Sequence, residues 1–280
     1  MKVRLLGTAA GGGTPQWNCG CRHCLDARRA GTDRRQDSVA VSADGGSWYL
    51  LNASPDLRAQ VLSAPELAPA EGTRDSPIRG VLLSTAELDH ALGLLALREA
   101  KSLTVYGSAA VLSVLDGPFP VRALLAPYTT VTWTLLPPDH PMDLDGGLTV
   151  RAIPVGAKPP RYAAGHPGDD WAVALQLTDR GTGGVLVYAP CLPAWGEPFA
   201  STVDTADCVL LDGTFLGEDE MGAGRAAASM GHLPIETSLP LLPRRPGQRI
   251  LYTHLNNTNP FTADERSGAE AAVDGGTFTV

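Results

Sequence analysis

Residues 81–90 read Val81-Leu82-Leu83-Ser84-Thr85-Ala86-Glu87-Leu88-Asp89-His90. An apolar strand runs into polar residues, and an apolar helix follows at once. A corner of this kind, at the carboxyl end of a strand, is where α/β folds expose catalytic groups. The plain alternative makes Asp89 a helix N-cap and His90 the first helical residue. A second segment weighs against it. Ile250-Leu251-Tyr252-Thr253-His254 is another apolar strand ending in a histidine, and the turn-forming Asn256-Asn257-Thr258-Asn259-Pro260 follows. Asp89, His90 and His254 then converge on one rim. Two histidines and a carboxylate are the ligand list of a non-haem Fe(II) facial triad, and catalytic zinc with a bound water uses the same set.

Outward from these corners the chain reads as short β-like runs joined by Gly/Pro loops. Strands are expected near Lys2–Leu6, Val39–Ser42, Trp48–Leu51, Gly80–Ser84, Thr104–Gly107, Leu148–Pro154, Ala172–Leu177, Val185–Ala189, Cys208–Asp212 and Ile250–Thr253. Helices are expected at Cys21–Ala30, Asp56–Leu62, His90–Glu99, Ser108–Leu115, Pro234–Leu242 and from near Thr262 onward. Many strands with peripheral helices predict an α/β fold built as a two-sheet sandwich with helices outside. No linker or repeat divides the chain, so residues 1–280 are expected to form one domain.

Composition narrows the function classes. With 44% apolar and 19% charged residues the chain is globular rather than disordered. Its net charge of −8 argues against a broad phosphate-binding face. No run is long and apolar enough for a bilayer span, and the glycines after Leu6 break any signal-peptide core. A cytoplasmic protein with neither nucleic-acid nor membrane partner is expected, and a homodimer is left open.

Five cysteines are an odd number for a disulfide framework, and Cys19, Cys21 and Cys24 crowd into six residues. Three thiolates at this spacing fill three corners of a tetrahedral structural zinc, the fourth coming from elsewhere in the fold. A free reactive thiol or redox pair is the alternative. Cys191 and Cys208 stand in apolar company and read as buried small hydrophobes. His140 and His166 lie in loops and read as solvated. Arg58 and Arg98 have the chemistry to clamp a substrate carboxylate, but both fall on expected helices and read as solvated there.

Six segments in order carry a family resemblance: residues 11–19 (Gly11-Gly12-Gly13-Thr14-Pro15-Gln16-Trp17-Asn18-Cys19), residues 51–58 (Leu51-Asn52-Ala53-Ser54-Pro55-Asp56-Leu57-Arg58), Leu88-Asp89-His90, Asp212-Gly213-Thr214-Phe215, Met230-Gly231-His232 and residues 254–260. Over nearly its whole length the chain resembles the PqqB family, the metallo-β-lactamase-fold proteins of pyrroloquinoline quinone biosynthesis. The resemblance implies an αββα sandwich with a metal site on one rim. It also implies an iron-dependent hydroxylase that uses O2 as co-substrate and oxygenates the tyrosine-derived ring of a Glu–Tyr cross-linked intermediate.

Hydrolytic members of the superfamily carry His-x-His-x-Asp-His, which falls here on Thr85-x-Glu87-x-Asp89-His90, so both histidines of the first metal site are missing. Ile153-Pro154-Val155-Gly156-Ala157 stands where another His is expected, and Val187-Tyr188-Ala189-Pro190-Cys191 where a bridging Asp would sit. Asp89, His90 and His254 remain, as ligands for one Fe(II). The tRNA-processing members pair an acidic residue at the Asp212 position with a histidine at the His232 position. On this resemblance Asp212 holds His232 in one tautomer and His232 moves a proton; the alternative makes Asp212-Gly213 only a turn after a buried strand and His232 a helix-entry residue. Related phosphodiesterases with a similar cysteine cluster place a histidine where Asn257 stands here. Two alternatives stay open: a non-catalytic carrier of the quinone or its precursor, and a metal-dependent hydrolase in which Glu87 restores a second metal. Departures at Thr85-x-Glu87 and in the compact Pro159–Trp171 region leave room for another peptide-derived aromatic as substrate.

Overall fold

The alternation of side chains along the strands divides the apolar residues into three layers, and those layers build the fold. In the computed structural model, which describes residues 1–222, 225–243 and 245–280, two mixed sheets stack face to face. The first holds β1 (Lys2–Gly7), β2 (Ser38–Ser42), β3 (Trp48–Leu51), β4 (Ile78–Leu82), β5 (Ser102–Gly107) and β6 (Thr130–Leu135). The second holds β7 (Met142–Asp143), β8 (Leu148–Gly156), β9 (Ala172–Asp179), β10 (Val185–Ala189), β11 (Cys208–Asp212), β12 (Arg249–Thr253), β13 (Ala263–Asp264) and β14 (Ala269–Ala271). A last strand, β15 (Thr277–Thr279), returns to the first sheet beside β1.

Successive residues of a strand point to opposite faces. On β10, Leu186 and Tyr188 enter the layer between the sheets with Val41, Leu51, Leu82 and Leu177. Val187 and Ala189 face outward with Val209, Leu211 and Tyr252, against the helix Phe199–Thr205 and the turn of helix Ile235–Ser238. On the first sheet, Leu50, Val81 and Val105 face outward against Leu57, Val111, Val114 and Leu125. Both faces of each sheet are covered, so the strands read as nearly continuous apolar runs. The result is the expected αββα sandwich.

All ten expected strands form, with ends displaced by up to two residues. Helix Ala109–Asp116 starts as its capping residue predicts, with the Ser108 hydroxyl accepting the Val111 amide at 3.2 Å. Two expectations change. The helix expected over His90–Glu99 is a short helix, Leu88–Ala91, followed by a 3-10 stretch, Leu92–Leu97. The His90 carbonyl accepts the Ala53 amide at 2.6 Å instead of continuing the helical ladder. Gly93 permits this crossing, because a Cβ there would lie 2.1 Å from the Ser54 carbonyl oxygen. The C-terminal helix expected from Thr262 is absent. That segment supplies β13 and β14, and β15 follows it, so edge pairing with β12 and β1 overrides a helix-prone local sequence. β6 and β7 lie on sheet edges and were not expected.

Buried polar residues tie the sheets together beneath one rim. Asp37, just before β2, accepts the hydroxyls of Tyr188 on β10 and Thr253 on β12. The Asn52 amide nitrogen donates to the Tyr188 hydroxyl and to the Ser84 hydroxyl, each at 2.9 Å, and the Asn52 carbonyl accepts the Ser84 amide at 2.9 Å. Asn52 takes a left-handed conformation, φ 62°, to reach both. Removing one partner leaves buried groups unsatisfied. Tyr188→Phe should therefore cost about 1–3 kcal/mol, read as a lower urea midpoint at unchanged slope.

Burial raises the Asp37 carboxyl from 3.8 to about 6, although the His254 charge and the two hydroxyl donors pull it down. The folded value lies above the unfolded one, so stability is lost as pH rises from about 4 to about 6. Asp37→Asn cannot ionise. In metal-free protein its stability relative to the wild type should improve across that window by up to about 3 kcal/mol; a difference that stays constant from about pH 4 to 7 contradicts the account.

Candidate metal centre

β3, β4 and β5 run parallel to one another, as do β10, β11 and β12, so several carboxyl ends meet on one rim. Ser84 to His90 leave β4 there, Cys191 follows β10, Asp212 closes β11 and His254 follows β12. A bridge between Thr85 and Ala172 brings the two sheets together beside them. Asp89 and His90 both lie inside the turn Leu88–Ala91, and Glu87 holds the cap position. The N-cap alternative for Asp89 therefore does not apply. The glycine loop after β1 crosses the same rim, and a Cβ on Gly11 would lie 3.1 Å from Asp89 Oδ2.

Asp89 Oδ2 lies 3.0 Å from His254 Nε2. The His90 and His254 rings sit edge to face with centroids 5.0 Å apart. Ligand atoms of His90, His254 and Cys191 all lie within 4.8 Å of one another, and Asp89 reaches this group through His254. His90 is fully buried. Its Nδ1 is 2.8 Å from the Thr85 hydroxyl, whereas its Nε2 has no hydrogen-bond partner. A buried imidazole nitrogen without a partner fits a cation better than empty space.

The tautomers follow from the partners. The Thr214 hydroxyl donates to Asp212 Oδ1 at 2.7 Å, so its oxygen accepts from His254 Nδ1–H at 2.8 Å. His254 Nε2 then faces Asp89 Oδ2 and donates to it in the protonated ring; a cation at the rim would take the place of that proton, the way second partners orient metal-binding histidines. His232 Nδ1 lies 2.8 Å from Asp212 Oδ2, and its ring stacks on His254 at 5.5 Å. Asp212, His232 and His254 also lie within ligand distance of one another. Both Asp212 oxygens are taken, however, by the Leu192 and Thr214 amides, the Thr214 hydroxyl and His232, so this trio reads as a hydrogen-bond network.

The charges answer to this geometry. Burial disfavours the Asp89 carboxylate, but the charges of His90 and His254 and the His254 hydrogen bond outweigh it and hold the carboxyl well below its usual range. Burial depresses His90 to about 4. Burial also disfavours the charged form of His254, yet the hydrogen bond and charge of Asp89 prevail and raise it. Burial and then the Asp89 charge raise the Glu87 carboxyl. His254 thus meets the Asp89 carboxylate at hydrogen-bond distance, while His90 Nε2 stays without a partner.

The sequence reading brings Asp89, His90, His254, Asp212 and His232 to one place, and Cys19, Cys21 and Cys24 to another. Cys208 is a core residue as expected. Cys191 is not a mere small hydrophobe, because it lines the rim cavity beside the two histidines. Its place at the superfamily's bridging carboxylate was the available signal. The orienting hydroxyls of Thr85 and Thr214 carried no signal of their own. A cavity of about 620 Å³ opens over the site, with Glu87, Lys158, Arg161, Tyr162 and Trp171 among its walls. Arg58 and Arg98 are exposed and line none of it, as expected; the cations at the cavity are Lys158 and Arg161.

Among the described residues no helix is long and apolar enough to cross a membrane. A profile of the beta-lactamase superfamily domain matches residues 47–255. Coenzyme PQQ synthesis protein B of Cupriavidus necator is 40% identical over 302 aligned residues, covering 98% of this chain and 97% of that protein. The Azotobacter vinelandii protein of the same description is 39% identical, with 98% of each covered. The crystal structure of Zn(2+)-bound PqqB from Methylobacterium extorquens superposes with a TM-score of 0.90 at 35% identity over the full length of both chains. A diphosphatase of the PhnP family, with a TM-score of 0.72 at 18% identity over 100% of this chain and 97% of its own, shares the fold. The chain belongs to the PqqB family of coenzyme PQQ synthesis proteins, within the metallo-β-lactamase-fold superfamily.

Proposed function

We propose that the protein is a cytoplasmic, single-domain, mononuclear non-haem Fe(II) hydroxylase that uses O2 on a tyrosine-derived aromatic amino acid, on the way to pyrroloquinoline quinone or a related peptide-derived quinone. The observation that carries this reading is the fully buried His90 with an unpartnered Nε2, grouped with His254 and beside Asp89. His90, His254 and Asp89 would hold the ion, and Cys19, Cys21 and Cys24 would hold a separate structural zinc. When bound at the rim, Fe(II) supplies the redox chemistry with O2 that ring hydroxylation needs and zinc lacks.

The protein's own side chains do the remaining work. Thr85 and Thr214 keep the two histidines in the orientation their Nε2 atoms require. Lys158 and Arg161 place positive charge on the cavity wall of an otherwise acidic chain, which suits a small substrate bearing carboxylates. With Nδ1–H engaged by Asp212, His232 offers Nε2 to the cavity, where it takes a proton from the substrate and returns it to water. The hydrolase alternative loses support, because Thr85, at the position of a first-site histidine, turns its hydroxyl to His90.

Metal analysis of protein purified without oxygen should find one iron lost in Asp89→Ala and one zinc lost in Cys21→Ala. O2 uptake with a tyrosine-derived precursor should require the iron. Zinc at both sites under iron-replete, anaerobic conditions, with no O2 uptake, overturns the hydroxylase in favour of a carrier or hydrolase. His232→Ala should retain iron and substrate binding while turnover falls about 10²- to 10⁴-fold. Thr214→Val should weaken iron binding about 10- to 100-fold in chelator competition. Lys158→Ala with Arg161→Ala should raise KM and leave the iron content unchanged.

A further inference from the structure

Glu87 holds the cap position of the turn Leu88–Ala91, yet its side chain makes no cap hydrogen bond. Glutamate is not favoured there, because Asp, Asn, Ser and Thr place an oxygen closer to the first helical amides. The Glu87 amide donates to the Thr85 hydroxyl at 3.1 Å, which fixes the backbone of the corner, and the half-buried side chain lies in the cavity wall. Among the described residues its carboxylate accepts no hydrogen bond and forms no ion pair.

Among the described residues that line the cavity the other carboxylate is Asp89, and that one is engaged by His254 at 3.0 Å. Lys158 and Arg161 are near enough for their charge to act on Glu87, but neither pairs with it. Lys158 instead donates to the Ser229 carbonyl at 2.6 Å. The Arg161 side chain is exposed at the same cavity. A free carboxylate and a guanidinium thus face one space without meeting each other.

A carboxylate withdrawn from water without a partner is unfavourable. A bound cation offsets that cost, and an ammonium adds charge-assisted hydrogen bonds. An α-amino acid carries an ammonium and a carboxylate on one carbon, so its head answers Glu87 and Arg161 together. A metal ion at Glu87 would need several further ligands, and Thr85, beside it in the corner, has its hydroxyl turned to His90. We infer that Glu87 binds the α-ammonium group of the substrate while Arg161 takes its α-carboxylate, so that the cavity selects an amino acid over the same aromatic acid without its amine. This rests on the proposed aromatic amino-acid substrate. Glu87 is then a specificity-determining residue, and Asp89, two residues on, is the one that holds the ion.

Calorimetric titration of the iron-loaded protein without oxygen tests this, with L-tyrosine and 3-(4-hydroxyphenyl)propionate as probes, since the two differ only in the amine. Wild-type protein should bind L-tyrosine about 10- to 100-fold more tightly than the propionate. Glu87→Gln keeps the size of the side chain and removes its charge. It should remove most of that preference, bind the propionate no more weakly than the wild type does, and retain the rim iron. Arg161→Ala should weaken both probes, because both carry the carboxylate. Equal binding of the two probes by the wild type, or a preference undiminished in Glu87→Gln, overturns the inference and leaves the aromatic substrate standing. Iron lost in Glu87→Gln makes Glu87 a metal ligand and overturns it as well. A wild type that binds neither probe is a different failure: it removes the proposed substrate class and the inference with it.

Discussion

The two sheets are registered to each other by Asp37. Its carboxyl takes the Tyr188 hydroxyl from β10 and the Thr253 hydroxyl from β12, while Asn52 joins the same tyrosine to Ser84 at the end of β4. Apolar packing between sheets is strong but not directional, and it tolerates small sliding. A buried hydrogen-bond network does not, because any slip leaves polar groups unsatisfied. The network lies directly under the rim, on the strands whose ends carry Asp89, His90 and His254. The distance between Asp89 and His90 on one sheet and His254 on the other is therefore set one layer below them.

The loss of the superfamily's histidines has a structural counterpart in the site. Thr85 stands where a metal ligand would, and its hydroxyl instead meets His90 Nδ1. Thr214 does the same for His254, and Asp212 gathers Thr214 and His232 into one network. His90, His232 and His254 each have one nitrogen committed to a hydroxyl or carboxylate. Cys191 adds a sulfur to the same wall, in the place of a carboxylate that bridges two metals elsewhere in the superfamily. Its thiol is pushed well above its ordinary pKa by burial and by the negative charges of Asp212 and Asp89.

The cysteine cluster and the rim belong to one mechanical unit. The loop after β1 pairs with Leu255 at Ala9, runs past Asp89 at Gly11, and then supplies the three cysteines that meet Asn257. His254 and Asn257 thus face two different centres from one short segment.

Much of this was legible along the chain. Apolar strands ending in Asp-His and in His, the Cys-x-Cys-x-x-Cys spacing, and the Asp212 and His232 segments each carry a local signal, and the strand corners locate the rim because parallel strands expose their carboxyl ends together. The expected strands are legible because their patterns are clean: β2, β3 and β11 are buried on both faces and apolar or small apart from Asp212 at the end of β11, while β5 and β8 alternate buried with partly exposed residues. What no local pattern contains is pairing across the fold. The Thr262 segment looks helical until β12 offers it an edge, and the helix at His90 ends where it does because Ala53 claims a carbonyl. Thr85, Thr214 and Cys191 are ordinary residues until the fold sets them against His90 and His254. The sequence by itself determined which side chains have the chemistry for metal and proton transfer; the tertiary structure alone decided which of their atoms are free to do it, because a hydrogen bond to one nitrogen of a histidine leaves the other available.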